Sequence, residues 1–362
     1  MNYGHVERHG HFTSFESEMD FLKLIRYTVI VMSGIMALVT LLFLAVLSLN
    51  SPPQWLGSIF PSEDKEWRLP DISTDLPDGK KGKQVKFGYL LATESPKWMG
   101  PQVINKDERL YAGNNLTCQN CHLEAGTKPG SGSWVGVTNR FPQFGGRENK
   151  IGTIEDRING CMERSMNGKA LPHDSEQMQA LVSYMEWLSA RLPEDTADWY
   201  KGFAKIEIPT VKADTLFGKQ VYINECQVCH GQDGQGTKLA DERKGYQYPP
   251  LWGDDSFNHG AGMHRVLTAA QFIKANMPHL IATKENPKLT DEEAFHVAAY
   301  INSFERPKKP ETNKDFPDLK LKPVSTSYGP YDDPFPAEQH KFGPFQPIVQ
   351  YYDSVYQIKK NK

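Results

Sequence analysis

The sequence predicts a mostly α-helical protein with one membrane-spanning helix near its amino terminus and two small helical domains of similar design after it. Three observations predict this. An uncharged run of 23 residues occupies positions 27–49, the string CxxCH occurs twice, and an amphipathic helical stretch stopped by proline follows each copy. The 362 residues suffice for two domains of about 100 to 200 residues each and a tail.

The composition excludes some classes of protein. The net charge is -3 and hydrophobic residues make up 39% of the chain. A balance near neutrality argues against a nucleic-acid-binding surface, and this apolar content argues against global disorder.

The run 27–49 predicts a transmembrane helix, because about 20 apolar residues cross a bilayer. A cleavable signal peptide has an apolar region of about 7 to 15 residues and a small-x-small site, and this run is longer and ends without such a site. Lys23 and Arg26 abut its amino end, whereas the first basic residue beyond it is Lys65. The positive-inside rule then predicts a single-pass protein of the inner membrane with a cytoplasmic amino terminus and a periplasmic remainder.

The two CxxCH strings, Cys118–His122 and Cys226–His230, lie 108 residues apart (118 to 226). This string attaches c-type haem: both thiols bond to the haem and the histidine becomes an iron ligand. A redox dithiol or a zinc site is the alternative, but both copies continue directly into histidine in an exported chain. We therefore expect two covalent haems, held by Cys118, Cys121 and His122 and by Cys226, Cys229 and His230.

The two units have a common design, which predicts two tandem class I-like cytochrome c domains. In the first, apolar residues at helical spacing run from Met178 to Leu192 before Pro193. In the second, Thr290 and Glu293 form a capping box. The predicted segments are a cytoplasmic amino terminus (1–26), the anchor (27–49), a tether (50–86), the first domain (87–200), the second domain (201–306) and a tail (307–362).

The tail carries nine prolines and nine aromatic residues without helical or alternating spacing. We expect it to be irregular. Disordered tails are poor in aromatic residues, so we also expect it to pack along the domains.

Met277 is the expected sixth ligand of the second iron, because it lies 47 residues after His230, is followed by proline and precedes the last helix of the domain. Met263, His264 and Lys274 are the alternatives. The other histidines are expected to be structural.

Cys161 stands 39 residues after His122, at the corresponding place in the first domain. The other four cysteines attach haem, so Cys161 is a free thiol in an oxidising compartment. Thiolate ligation of the first iron, which would lower its potential, explains this state. An inert buried cysteine, with Met162 or Met166 as the ligand, remains the alternative.

If residues 154–169 are mostly helical, Arg157, Arg164 and Ser165 share a face with Cys161. A basic, hydroxyl-bearing surface beside a low-potential haem suits a small divalent anion that gives up an electron. A salt-bridged surface or a clamp on haem propionates would explain the same residues.

Four longer stretches of the chain read GNNLTCQNCHLEAGTKPG, FPQFGGRENKIGTIEDRINGCMERSMNGKALP, PPLWGDDSFNHGAGMHR with FIKANMP, and YGPYDDPFPAEQHKFGPFQPI. These strings resemble the diheme thiosulfate dehydrogenase family, whose members join two thiosulfates into tetrathionate. The resemblance implies that Cys161 is the axial ligand of the active-site haem and that the second haem takes a methionine or lysine, here Met277. It also implies a substrate site lined by Gln143, Arg147, Arg157, Arg164, Ser165 and Lys169. The anchor is a departure, since many relatives are soluble.

The resemblance further implies a route for electrons, from the first haem to the second and then to an external cytochrome c or a membrane terminal oxidase. It leaves the direction of the sulfur reaction open, and it allows Cys161 to accept sulfur transiently. A non-catalytic electron-transfer subunit of a respiratory complex is the alternative function. A diheme peroxidase is disfavoured by Cys161.

Overall fold

The computed structural model describes the backbone of residues 13–50 and 67–360, and the side chains of residues 21–45 and 67–360. It divides into two units, Met1–Glu66 and Trp67–Lys362. The start of the predicted cytoplasmic segment and the part of the predicted tether that contains Lys65 lie outside the described residues.

The described part of the first unit is helix α1, Thr13–Asn50. Its stretch Phe21–Ala45 has a mean hydropathy of 2.5 and is long enough to cross a membrane. A signal sequence near an amino terminus can also meet this criterion of length and composition. The predicted span 27–49 lies within this helix.

The second unit is mostly helical, with two short antiparallel hairpins. Its helices are α2 Gly79–Thr93, α3 Ser95–Met99, α4 Lys106–Arg109, α5 Leu123–Gly126, α6 Ile154–Met162, α7 Glu176–Leu188, α8 Glu194–Tyr200, α9 Thr215–Glu225, α10 Gln227–His230, α11 Val266–Asn276, α12 Asp291–Ser303, α13 Ala337–Phe342 and α14 Gln346–Tyr356. Strands β1 Gln143–Gly145 and β2 Lys150–Gly152 pair with each other, as do β3 Thr237–Lys238 and β4 Tyr246–Tyr248. The arrangement agrees with the predicted fold class of two cytochrome c domains.

Each domain is built on a pair of helices that cross closely at a glycine. A β-carbon on Gly88 of α2 would lie 2.1 Å from the carbonyl oxygen of Ala180 on α7, and one on Gly218 of α9 would lie 2.1 Å from that of His296 on α12. Only glycine allows the two backbones this approach. The matching contacts support the common design of the two cytochrome c domains.

Helix α2 begins at Gly79, inside the segment 50–86 that the sequence predicts to be a tether. Its sequence, GKKGKQVKFGYLLAT, contains three glycines and has little amphipathic pattern. Packing against α7 stabilises it, with Val85 and Leu91 fully buried in the first core. Tertiary contact therefore overrides weak helix propensity here.

The tail packs on the second domain, as the aromatic content predicted. Phe345 and Ile348 are fully buried in that domain's core, and Tyr352 is nearly so. Much of the tail consists of loops and single 3-10 turns, but α13 and α14 were not predicted.

Candidate active site

The first cavity encloses about 890 Å³ in the first domain. Cys118, Cys121 and His122 border it. The His122 Nδ1 lies 2.7 Å from the carbonyl oxygen of Gly132, so Nδ1 carries the proton and Nε2 is the nitrogen available to a metal. Two free thiols and an oriented imidazole at one cavity fit a covalently attached haem.

The second cavity, of about 500 Å³, repeats this arrangement around Cys226, Cys229 and His230. The His230 Nδ1 lies 2.9 Å from the carbonyl oxygen of Pro249. Among residues 21–45 and 67–360, no group of three or more His, Cys, Asp or Glu side chains could hold a metal ion. The donor sets thus fit two haems better than zinc.

Cys161 borders the first cavity near the end of α6. Thr153 and Asp156 cap the start of this helix with a capping box, which fixes its direction. The Arg157 guanidinium, one turn earlier, donates a hydrogen bond of 3.1 Å to the Cys161 sulfur. Burial raises the pKa of the Cys161 thiol, but the charge of Arg157 and hydrogen bonding by His122 and Arg157 outweigh burial and lower the pKa to about 6.

Met162 and Met166 border the same cavity, so position alone does not separate them from Cys161. Both methionines are buried members of the first hydrophobic core. Cys161 differs from both methionines because its thiol has a pKa of about 6 and because the cationic Arg157 donates a hydrogen bond to its sulfur.

Three of the predicted substrate residues border the first cavity, namely Gln143, Arg157 and Ser165. Arg147, Arg164 and Lys169 do not line it. Lys169 is exposed, with its ammonium 5.4 Å from the centre of the Tyr111 ring.

Arg164 corrects the expectation of one shared helical face. Helix α6 ends at Met162, so Arg164 and Ser165 lie in the turn that follows rather than at helical positions. The Arg164 Nη2 donates to Asp315 Oδ1 at 2.7 Å, and both side chains are buried. Arg164 therefore forms a buried ion pair with the tail, away from the cavity.

Arg147 belongs to the same cluster and likewise does not line the cavity. Its Nη1 donates to Asp315 Oδ2 at 3.1 Å and to the carbonyl oxygen of Gly260 at 2.8 Å. The Tyr328 hydroxyl also donates to Asp315 Oδ2, at 2.7 Å. Burial would raise the pKa of Asp315, but Arg164, Arg147 and Tyr328 together lower it.

The second domain holds the turn that follows Cys161. Asn258 Nδ2 donates to the carbonyl oxygen of Glu163 at 2.8 Å, and the Asn258 backbone N–H donates to that of Arg164 at 3.1 Å. Within the first domain, Asn114 Nδ2 donates to the carbonyl oxygen of Ser165 at 2.9 Å. These bonds fix where Ser165 meets the cavity.

Sequence reasoning missed five polar residues that border the first cavity: Ser133, Arg140, Lys201, Lys205 and Gln271. Arg140 is half-buried, and burial together with the charge of Arg157 lowers its pKa. Lys201 and Lys205 come from the interdomain linker and Gln271 from α11, so no local motif marks them.

Met277 borders the second cavity, and so do Met263 and His279. Two of the alternative ligands, Lys274 and His264, do not border this cavity. The Lys274 ammonium pairs with Asp291, and the His264 Nδ1 lies 2.9 Å from the carbonyl oxygen of His259. Methionine sulfur is therefore available at this cavity from two positions, Met263 and Met277.

Comparison with known proteins agrees with this arrangement. A family model described as SoxA/TsdA, cytochrome c domain, matches residues 109–193, and a cytochrome c model matches residues 217–305. The thiosulfate dehydrogenase of Stutzerimonas stutzeri is 40% identical over 243 residues, which cover 67% of this chain and 73% of the relative. That of Psychrobacter arcticus is 39% identical over 250 residues, 69% of this chain and 71% of the relative.

A solved structure, the thiosulfate dehydrogenase TsdBA from Marichromatium purpuratum in its as-isolated form, aligns with a TM-score of 0.60 and 34% identity. The alignment covers 68% of this chain and 51% of the other, so this chain spans about half the length of that protein. With two cytochrome c domains, two cavities that fit haem and relatives at this level of identity, the chain belongs to the thiosulfate dehydrogenase family of c-type cytochromes.

Proposed function

We propose that this chain is a membrane-anchored, two-haem enzyme that joins two thiosulfate dianions into one tetrathionate. One S–S bond forms between the two sulfane sulfurs, two electrons leave and no proton is released. The observation that carries the proposal is the Arg157–Cys161 hydrogen bond inside the first cavity, which places a cation and an acidic thiol at one point.

The residues around this point suit anion binding. Two thiosulfates bring four negative charges together, and their repulsion opposes coupling unless cations offset it. Arg157 and Arg140 border the cavity as cations, and Ser165 and Gln143 add neutral donors. We infer that these four residues bind thiosulfate in place of the larger set that the sequence implied.

The first haem, attached through Cys118 and Cys121, supplies one-electron redox chemistry when bound. His122 and the Cys161 thiolate would hold its iron. Thiolate ligation lowers the potential of a haem. Arg157 keeps the thiol of Cys161 ionised near neutral pH, which is the form that ligates iron.

The second haem, on Cys226 and Cys229, would be held by His230 and Met277. Cys121 and Leu116 border both cavities, so the two sites are neighbours. The electrons then leave the second site for an external cytochrome c or a membrane terminal oxidase. Helix α1 would anchor the chain in the inner membrane with its amino terminus in the cytoplasm. An intact mass that includes the first 50 residues and two haems would show that the anchor is retained and that both haems are attached.

The function is tested with the purified full-length protein. Thiosulfate should reduce its haems, and one tetrathionate should form for every two thiosulfates consumed with a soluble electron acceptor present. Haems that stay oxidised in excess thiosulfate, in a protein that another reductant reduces readily, would favour the electron-transfer subunit instead.

A further inference from the structure

Residues 130–132 of the first domain form a short loop, the bridge loop, that contacts the second domain. At one end of this loop, the carbonyl oxygen of Gly132 accepts a hydrogen bond of 2.7 Å from the His122 Nδ1. At the other end, the carbonyl oxygen of Gly130 accepts one of 2.9 Å from the Asn276 Nδ2. Asn276 is the last residue of α11 and directly precedes Met277. The bridge loop therefore connects the group that orients His122 to a side chain of the second domain.

Asn276 is a buried side chain that uses its donors and not its acceptor. It is 0% exposed, and its Nδ2 also donates to the carbonyl oxygen of Phe272 at 2.9 Å. Its Oδ1 is buried without a hydrogen-bond partner, which costs free energy. An apolar side chain of similar size would avoid that cost. What asparagine adds at this position is the pair of donated bonds, one of which holds Gly130.

The bridge loop needs such outside contacts to keep its shape. Gly130 and Gly132 have φ values of +77° and +68°, in the left-handed region, and glycine is the most flexible residue. The Gly132 backbone N–H donates to the carbonyl oxygen of Gly202 in the interdomain linker at 3.1 Å. A β-carbon on Gly130 would lie 3.1 Å from that of Ala275, so the loop packs tightly on the end of α11. The linker and the second domain together fix where the Gly132 carbonyl lies.

We propose that Asn276 is a positioning residue for the first haem, acting across the domain boundary. By holding Gly130, it keeps the Gly132 carbonyl in place to accept from the His122 Nδ1. A hydrogen bond at Nδ1 fixes the orientation of an iron-binding imidazole and makes its other nitrogen more basic. A more basic ligand stabilises ferric iron, so Asn276 lowers the potential of the first haem. The inference depends on haem in the first cavity and not on the sulfur reaction, so it stands or falls separately from the proposed function.

The test is a spectroscopic redox titration of the full-length, haem-loaded protein carrying Asn276→Leu, without thiosulfate. At a fixed potential, the ratio of reduced to oxidised first haem should rise about fivefold, a factor that corresponds to about 1 kcal/mol, the net value of one hydrogen bond. The EPR g values of the oxidised first haem should shift as well, because they depend on the orientation of the axial imidazole.

Asn302 provides a matched control on α12. It is also 0% exposed, its Nδ2 donates to the carbonyl oxygen of Met263 at 3.0 Å, and its Oδ1 is buried without a partner. Its bond lies within the second domain, so Asn302→Leu should leave the midpoint and the g values of the first haem unchanged. If Asn276→Leu does not fold, Asn276→Ala removes the same donor without adding volume, and Asn302→Ala is then its control.

An effect that travels through the second haem is the alternative, because Asn276 adjoins Met277. Met277→Gly changes the second site but keeps the Asn276 amide, so the first haem should keep its wild-type midpoint and g values in that variant. A first haem that is unchanged in the Asn276 variant, or that changes equally in the matching Asn302 variant or in Met277→Gly, would overturn the proposal. A change in the Asn276 variant alone supports it.

Discussion

The guanidinium of Arg157 donates a hydrogen bond of 3.1 Å to the sulfur of Cys161, one turn along α6. Each group stabilises the charged form of the other: the pKa of Arg157 is raised mainly by the Cys161 charge, and that of Cys161 is lowered to about 6 although burial opposes it. This pair gives the first cavity its acidic thiol. It is the basis of the proposed chemistry.

Arg157→Gln should therefore weaken thiosulfate binding and alter the first haem together. A charge-assisted hydrogen bond is worth about 1.5 to 3 kcal/mol, so we expect the KM for thiosulfate to rise about tenfold or more. The optical spectrum of the first haem should change because the thiolate loses its partner. Arg191→Gln, which removes an exposed arginine, is the control for net charge. An unchanged KM in Arg157→Gln would contradict the role of the pair.

Arg164→Ala should act on stability and not on substrate binding. It leaves the buried Asp315 with one fewer cation, and breaking such a pair costs about 3 to 5 kcal/mol. Thermal unfolding should shift to a clearly lower temperature while the KM of the folded enzyme stays near that of the wild type. A large rise in KM at an unchanged unfolding temperature would return Arg164 to the substrate site.

The lowered pKa of the Asp315 carboxyl predicts that the protein loses stability in acid. Its pKa in the folded protein is lowered from 3.8, so the stabilisation is fully present above about pH 3.8 and is lost as pH falls through the lower folded-state pKa. Asp315→Asn removes this contribution, so the stability of the variant should depend less on pH below about pH 3.8. Denaturant titrations of both proteins across that range measure the difference. Parallel pH curves would show that Asp315 does not contribute it.

Local sequence patterns predict part of this architecture, whereas contacts between distant segments determine the rest. The two CxxCH strings, the spacing from His122 to Cys161 and the Thr290 capping box are local features of the sequence. The structure contains the capping box, and it places both strings and Cys161 at the two cavities. A short-range pattern could not place Gln271, because it reaches the first cavity from the second domain.

The errors have a common physical cause. Helix α2 depends on the close approach of Gly88 to α7, and glycine weakens a helical pattern read from sequence alone. Arg164 was placed on a continuous helical face, but α6 ends at Met162 and a carboxylate 151 residues away, Asp315, binds the side chain. Contacts between residues so distant along the chain cannot be predicted from the local sequence.

Met277→Gly should lower the midpoint of the second haem and leave that of the first unchanged, because thioether ligation raises haem potential. Met263 borders the same cavity and provides the matched control. Met263→Leu should leave both midpoints near their wild-type values. The reverse outcome, with Met263→Leu lowering the second midpoint, would move the ligand assignment to Met263.

The central claim is that Cys161 takes part in the sulfur chemistry, and Cys161→Met tests it most directly. The variant keeps a sulfur at this position but removes the negative charge and the nucleophilic thiolate. The midpoint of the first haem should rise by on the order of hundreds of millivolts, within the range that axial ligands command. Met166→Leu, at the same cavity, is the control.

The decisive measurement is the rate of tetrathionate formation from thiosulfate by purified Cys161→Met carrying both haems. We predict a steep fall in that rate even though the first haem has become a stronger oxidant, together with a rate near that of the wild type in Met166→Leu. If Cys161→Met retains most of the wild-type rate, the catalytic role of Cys161 is wrong and a non-catalytic electron-transfer subunit becomes the better account of this chain.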